Sequence, residues 1–227
     1  MKQDFLKYQA QTSPYPLALE VSHAKGSYIY DSEGKKHLDF VAGVSACTLG
    51  HCHPRVINAI KQQAEKYLHV MVYGEYAQGP AVELCRLLAA NLPKPLEKTY
   101  LTNSGTEAIE GALKLARRYT GRKGIIAAKN AYHGNTMGSL SLMTFEERQK
   151  PFRPLIGEVS WIEFNSENDL ERITENTAGV ILESIQGGAG FIQPQNEYLK
   201  KVKARCEEVG ALLILDRSEE RRVGKEC

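Results

Sequence analysis

No stretch of this chain is apolar for long enough to cross a bilayer. The opening segment, MKQDFLKYQA, lacks the apolar core of a secretion signal. No dense run of Lys and Arg is present and the net charge is +2, so neither nucleic acid nor a membrane is an expected partner. The five cysteines follow no regular spacing. Reduced thiols and a cytoplasmic location are therefore expected. Internal repeats and low-complexity tracts are absent. The pattern G-x-x-x-x-G-K-[ST] is missing too, which counts against a nucleotide-binding domain. What remains, at 42% apolar and 25% charged residues over 227, is the balance of an ordinary globular chain, long enough for one large domain or parts of two.

Ser27–Tyr30 and Lys36–Leu38 read as two strands around a turn at Asp31–Gly34. From Pro54 the period becomes helical, with Val56, Ile57, Ile60, Ala64, Tyr67 and Leu68 on one face. Pro80 opens a second helix and Pro93 stops it. Strands and helices then alternate. Strands are expected at Lys98–Leu101, Gly124–Ala128, Val159–Phe164, Gly179–Glu183 and Ala211–Asp216, with helices from the loop at 103–106 and over Glu197–Val209. Near-continuous apolar strands between helices imply a parallel sheet covered on both faces. Ligands of such sheets sit at the carboxyl ends of the strands, where Glu183 and Asp216 lie.

The stretch Asn103 to Arg117, NSGTEAIEGALKLAR, carries the strongest chemical signal. Ser104, Gly105 and Thr106 gather three backbone N–H groups and two hydroxyls at a helix start, where the dipole favours an anion. An ordinary capped helix explains the same residues. His51-Cys52-His53 reads as a turn before Pro54 rather than a metal site, because consecutive residues rarely converge on one ion. Cys47 and Cys85 fall at apolar positions and are expected to pack.

Residues 217–227, RSEERRVGKEC, break the pattern after a buried strand. They look like translated sequencing-adapter DNA, and the expectation is a non-native tail on a chain incomplete at its C-terminus. An uncovered edge at the Ala211–Asp216 strand would favour aggregation.

Five segments in order resemble the class III aminotransferases, pyridoxal-phosphate enzymes of fold type I: GVSACTLGHCHP at 43–54, NSGTEAIEGALKLAR at 103–117, AYHGNTMGSLS at 131–141, VILESIQGGAG at 180–190 and GALLILD at 210–216. The resemblance implies an α/β fold, a mainly parallel sheet covered by helices. It places residues 1–53 in part of a small N-terminal α+β domain and 54–216 in the cofactor-binding large domain. It also implies pyridoxal 5′-phosphate as cofactor and a homodimer with sites at the subunit interface. The reaction would move an amino group from an amino acid or ω-amine to a 2-oxo acid. N-acetylornithine, ornithine and 4-aminobutyrate all stay open as donors.

On this resemblance Gly105 and Thr106 look like the phosphate donors, with Ser104 shaping the turn. Tyr132 looks like the aromatic stacked on the pyridine ring, beside His133 and Gly134; the plainer reading is a tyrosine buried in a loop. Asp216 looks like the partner of the pyridine nitrogen, which makes the ring an electron sink; the alternative is a helix cap. Glu183 resembles the family's acid near the cofactor or else forms a structural ion pair. Val44 and Ser45 are weak pocket candidates, and Tyr73, Tyr76 and Gln78 are weak candidates to face a partner's site.

Two departures follow. Many ω-amino-acid members read E-P-x-Q-G-E-x-G where this chain has ESIQGGAG at 183–190, so Gly188 stands in place of an acid that screens a substrate-binding arginine. No lysine of this chain occupies a motif matching the family's Schiff-base lysine, so the chain as given is expected to be inactive. An aminomutase, a decarboxylase and a cofactor-binding fragment without turnover are the rival readings.

Overall fold

The computed structural model describes residues 1–71 and 74–216. The chain divides into two compact units, Met1–Asn91 and Leu92–Cys227. The sequence reading put the boundary after His53, where the hydrophobic period changes. A change of period marks a new element, not a new packing partner, and the two helices after Pro54 fall in the first unit.

The first unit begins with α1 (Lys2–Tyr8), followed by β1 (Val21–Lys25), β2 (Tyr28–Asp31) and β3 (Lys36–Leu38) in an antiparallel meander. The expected hairpin is there, with Tyr28 opposite Leu38 and Tyr30 opposite Lys36. Asp31 closes the turn through Oδ1, which accepts the N–H groups of Glu33 at 3.0 Å and Lys35 at 2.8 Å. α2 (Ala42–Ser45), α3 (Pro54–Ala64) and α4 (Gly79–Asn91) complete the unit. The expected face ran on to Leu68, but α3 stops at Ala64. The N–H groups of Lys66 and Tyr67 both turn onto the Gln63 carbonyl, and the Gln63 side chain donates to the Tyr67 carbonyl at 3.0 Å, which tightens and ends the helix.

The second unit holds α5 (Gly105–Thr120), β4 (Gly124–Ala128), α6 (Met137–Ser141), α7 (Glu146–Gln149), β5 (Val159–Ile162), β6 (Thr177–Glu183), α8 (Tyr198–Val209) and β7 (Leu212–Asp216). The strands form one parallel sheet in the order β5-β4-β6-β7. Alternate residues face opposite layers. Ile125, Ala127 and Ile181 pack with Ile109 and Leu113 of α5. Ile126, Ala128, Val180 and Leu182 pack with Tyr198, Val202 and Cys206 of α8. Both faces of β6 are covered and all seven of its residues are buried, which explains the apolar run from Ala178 to Leu182. Each buried Ile, Leu or Val contributes about 1.5–3 kcal/mol of transfer free energy. Gly121 and Gly210 end α5 and α8 in the left-handed region, both at φ 70°, where glycine carries no Cβ penalty.

Lys98–Leu101, expected as a strand, joins neither sheet. A strand persists only where a neighbour satisfies its backbone groups, and no such neighbour lies beside this segment among the described residues. The tail at 217–227 lies outside the described residues.

Candidate functional site

The first turn of α5 is built by its cap. Ser104 is the N-cap, in extended conformation, and its Oγ accepts the Glu107 N–H at 3.3 Å. Glu107 Oε2 reaches back to accept the Asn103 N–H at 2.8 Å and the Ser104 hydroxyl at 3.3 Å. This reciprocal pairing satisfies the cap from within and leaves the N–H groups of Gly105 and Thr106 as helix-start donors. Among the described residues neither has an acceptor. A Cβ on Gly105 would meet nothing within 4 Å, so the space before the helix is open.

The two hydroxyls gathered at the helix start are both engaged within the protein. Ser104 uses its hydroxyl in the cap. Thr106 turns its own into the protein, 2.7 Å from Thr136 Oγ1 and 2.6 Å from Ser139 Oγ. The physical reason is that the exposed Ser104 hydroxyl is taken by the cap of its own helix and the half-buried Thr106 hydroxyl bonds where partners already stand. The open donors of the site are therefore backbone N–H groups.

Gly134 fits against Thr106 at φ 124°, and a Cβ there would lie 2.5 Å from Thr106 Oγ1. Glu110, one turn further along α5, caps α6. Its Oε1 accepts the Gly138 N–H at 2.7 Å, the Ser139 N–H at 3.3 Å and the Thr136 hydroxyl at 2.5 Å. A Cβ on Gly138 would overlap that carboxylate. Sequence reasoning missed Glu110, because one acid on a helix's polar face looks like any other. The only local signal was the T-M-G-S start of α6.

The parallel strands bring the remaining candidates to one end of the sheet. Glu183 and Asp216 are register partners at the ends of β6 and β7. His133, on the loop after β4, places Nδ1 2.8 Å from Asp216 Oδ2. Its side chain is fully buried, and its Nε2 has no partner among the described residues. Asp216 Oδ1 likewise has no partner among them.

Glu183 is buried, with Oε2 accepting the Tyr132 N–H at 3.2 Å and Oε1 accepting the Gly187 N–H at 3.1 Å. Burial pushes its carboxyl above the ordinary range, against the pull of the Tyr132 N–H and the nearby His133. The structural ion pair weighed for Glu183 is absent among the described residues. Tyr132 is 40% exposed rather than buried. Its phenol oxygen accepts from Asn135 Nδ2 at 3.1 Å, and the Arg148 guanidinium lies 5.6 Å from its ring centre. Gln186, also missed, is buried and donates to the Lys129 carbonyl at 2.6 Å.

Val44 and Ser45 lie on α2 in the first unit, where Val44 is exposed at φ 54°. Tyr76 is exposed there, and Gln78 donates to the Met71 carbonyl at 2.8 Å. Tyr73 lies outside the described residues. His51 forms an isolated antiparallel bridge with Gly26, just before the turn at Cys52; its Nε2 lies 2.7 Å from Asp39 Oδ2, and that hydrogen bond holds the Asp39 carboxyl below its usual range. No helix among the described residues is long and apolar enough to cross a membrane.

Residues 8–218 match the family profile Aminotransferase class-III. The acetylornithine aminotransferase of Methanopyrus kandleri is 41% identical over 212 residues, covering 92% of this chain and 54% of that protein. A [LysW]-aminoadipate semialdehyde/glutamate semialdehyde transaminase of Sulfolobus acidocaldarius is 40% identical over 199 residues, covering 87% of this chain and 51% of that protein. The ornithine aminotransferase of Toxoplasma gondii, solved with partial occupancy of PLP at its active site, superposes with a TM-score of 0.83 at 30% identity, covering 94% of this chain and 51% of that one. The chain spans about half the length of the curated relatives it matches. A profile that runs over nearly the whole chain, on a parallel α/β sheet shared with solved transaminases, settles the family: the chain belongs to the class-III aminotransferases, pyridoxal-phosphate enzymes of fold type I.

Proposed function

We propose that this chain is the cofactor-anchoring part of an aminotransferase that moves an amino group from an amino acid or ω-amine, of the acetylornithine, ornithine or 4-aminobutyrate kind, to a 2-oxo acid. One observation carries the reading. The open N–H groups of Gly105 and Thr106 and the His133–Asp216 pair belong to one connected structure, joined where Gly134 packs on Thr106. The residues fit the family's cofactor: helix-start donors for a phosphate, a carboxylate oxygen without a partner among the described residues, and a half-exposed aromatic ring.

In this reading the N–H groups of Gly105 and Thr106 bind the phosphate, and Ser104 holds the turn that presents them. Asp216 holds a proton on the ring nitrogen. His133 orients Asp216, and Tyr132 lies against the ring. When bound, the cofactor draws negative charge away from the substrate carbon. Val44 and Ser45 are proposed as substrate-pocket residues, and Tyr76 and Gln78 as residues that face a partner's site. The exposed apolar residues Val56 and Ile60 of α3 and Val82 and Leu84 of α4 support a homodimer. A cytoplasmic location belongs to the same reading. No lysine of the sequence stands in a motif matching the family's Schiff-base lysine, so this chain alone binds the cofactor without turnover.

Calorimetric titration with pyridoxal 5′-phosphate and with inorganic phosphate tests the proposal. Saturable binding of both, in mutual competition, is expected, with Asp216→Ala weakening only the ring-bearing ligand. No saturable binding, or equal losses for both ligands, overturns it.

A further inference from the structure

We infer that Glu183 is a positioning residue: it latches the loop after β6 to the loop after β4 and so sets where the Tyr132 ring stands. The inference rests on the reading of Tyr132 as the ring-stacking residue. Both carboxylate oxygens of Glu183 are already committed to backbone N–H groups, Oε2 to Tyr132 and Oε1 to Gly187. A carboxylate held in this way acts on a ligand through the residues it grips.

Two further contacts close the same seam. Gln186 Nε2 donates to the Lys129 carbonyl at 2.6 Å, three residues before Tyr132. Gly188 lies flat against the tyrosine, so that a Cβ there would come 3.2 Å from Tyr132 Cβ and 3.6 Å from the Asn130 carbonyl oxygen. Tyr132 needs such a latch. The residue is 40% exposed, and its ring is touched by Asn135 at the phenol oxygen and by the Arg148 guanidinium, so its position depends on where its backbone is held. β6 supplies the rigid base, since it is buried throughout and paired with β4 on one side and β7 on the other. The seam also gives Gly188 a role: a side chain at that position would press on the tyrosine.

Glu183→Gln tests the latch with little change of volume. A carboxamide keeps one acceptor and turns its NH2 group toward the second N–H, so one of the two ties is lost. The probes are pyridoxine 5′-phosphate, which carries ring and phosphate but no aldehyde, and inorganic phosphate, both titrated calorimetrically into the chain. The Glu183→Gln variant is expected to lose about tenfold in affinity for pyridoxine 5′-phosphate and less than about twofold for phosphate, with faster hydrogen exchange at the Tyr132 and Gly187 amides. Gly188→Ala, which pushes on the tyrosine from the loop after β6, is expected to give the same split and serves if Glu183→Gln fails to fold. Equal losses for both probes would show general damage and overturn the inference. Retained ring affinity in both variants would overturn it as well, leaving the cofactor reading intact. A wild-type chain that binds pyridoxine 5′-phosphate no better than phosphate overturns the cofactor reading and this inference with it.

Discussion

His133 and Asp216 stand 83 residues apart in sequence and 2.8 Å apart in space, Nδ1 to Oδ2. The imidazole is fully buried and the carboxylate is its sole partner among the described residues. The contact fixes which ring nitrogen donates and which carboxylate oxygen remains available.

His133→Phe keeps the ring volume and removes the donor. The expected loss is about 1.5–3 kcal/mol of unfolding free energy, the range for a hydrogen bond to a charged group. Urea denaturation measures it, and an unchanged midpoint would show that the contact is incidental.

Gly134→Ala is expected to be among the more damaging glycine substitutions. The new Cβ would stand 2.5 Å from Thr106 Oγ1 and 2.6 Å from Thr106 Cβ, at a φ of 124°. Strain and overpacking together cost about 2–4 kcal/mol. Gly157→Ala, where a Cβ meets nothing within 4 Å, is the control and should shift stability by no more than about 0.5 kcal/mol. Similar melting temperatures for the two variants would refute the close approach.

Glu183 makes stability depend on pH with a definite sign. Burial raises its carboxyl pKa in the folded chain, so the folded state holds the proton more tightly than the unfolded state does. Its contribution is complete below the unfolded value of about 4.3 and is lost as pH rises through the folded pKa. Relative to Glu183→Gln, which does not titrate, the wild type should lose stability as pH rises from about 4.3 through the raised folded pKa. A difference that grows in favour of the wild type over that window would contradict the assignment.

The thiols should separate by reactivity. Cys206 is 1% exposed and burial pushes it up to about 11, whereas Cys52 is exposed. At pH 8 the Cys206 thiolate is about one part in a thousand. Iodoacetamide followed by peptide mapping should label Cys52 in the native chain and Cys206 only after denaturation. Equal native labelling would mean that α8 does not cover the sheet.

The sequence alone determined the parallel sheet, because strands covered on both faces must be apolar at every position, as Thr177–Glu183 nearly is. It also determined that a helix starts within 103–106 and that Glu183 and Asp216 stand at strand ends, since local spacing carries that information. Tertiary structure decided the rest. Lys98–Leu101 has strand-like residues and no ladder among the described residues, because a partner strand makes a strand. The Ser104 hydroxyl is taken up in the cap with Glu107, and that of Thr106 points inward to Thr136 and Ser139, because those partners were close enough to bind them. The meeting of His133 with Asp216, and of Glu183 with Tyr132, depends on which strands lie side by side and in what register. Residues 83 and 51 positions apart leave no local trace of such a contact, because side-chain spacing reports only the face of the element to which each belongs.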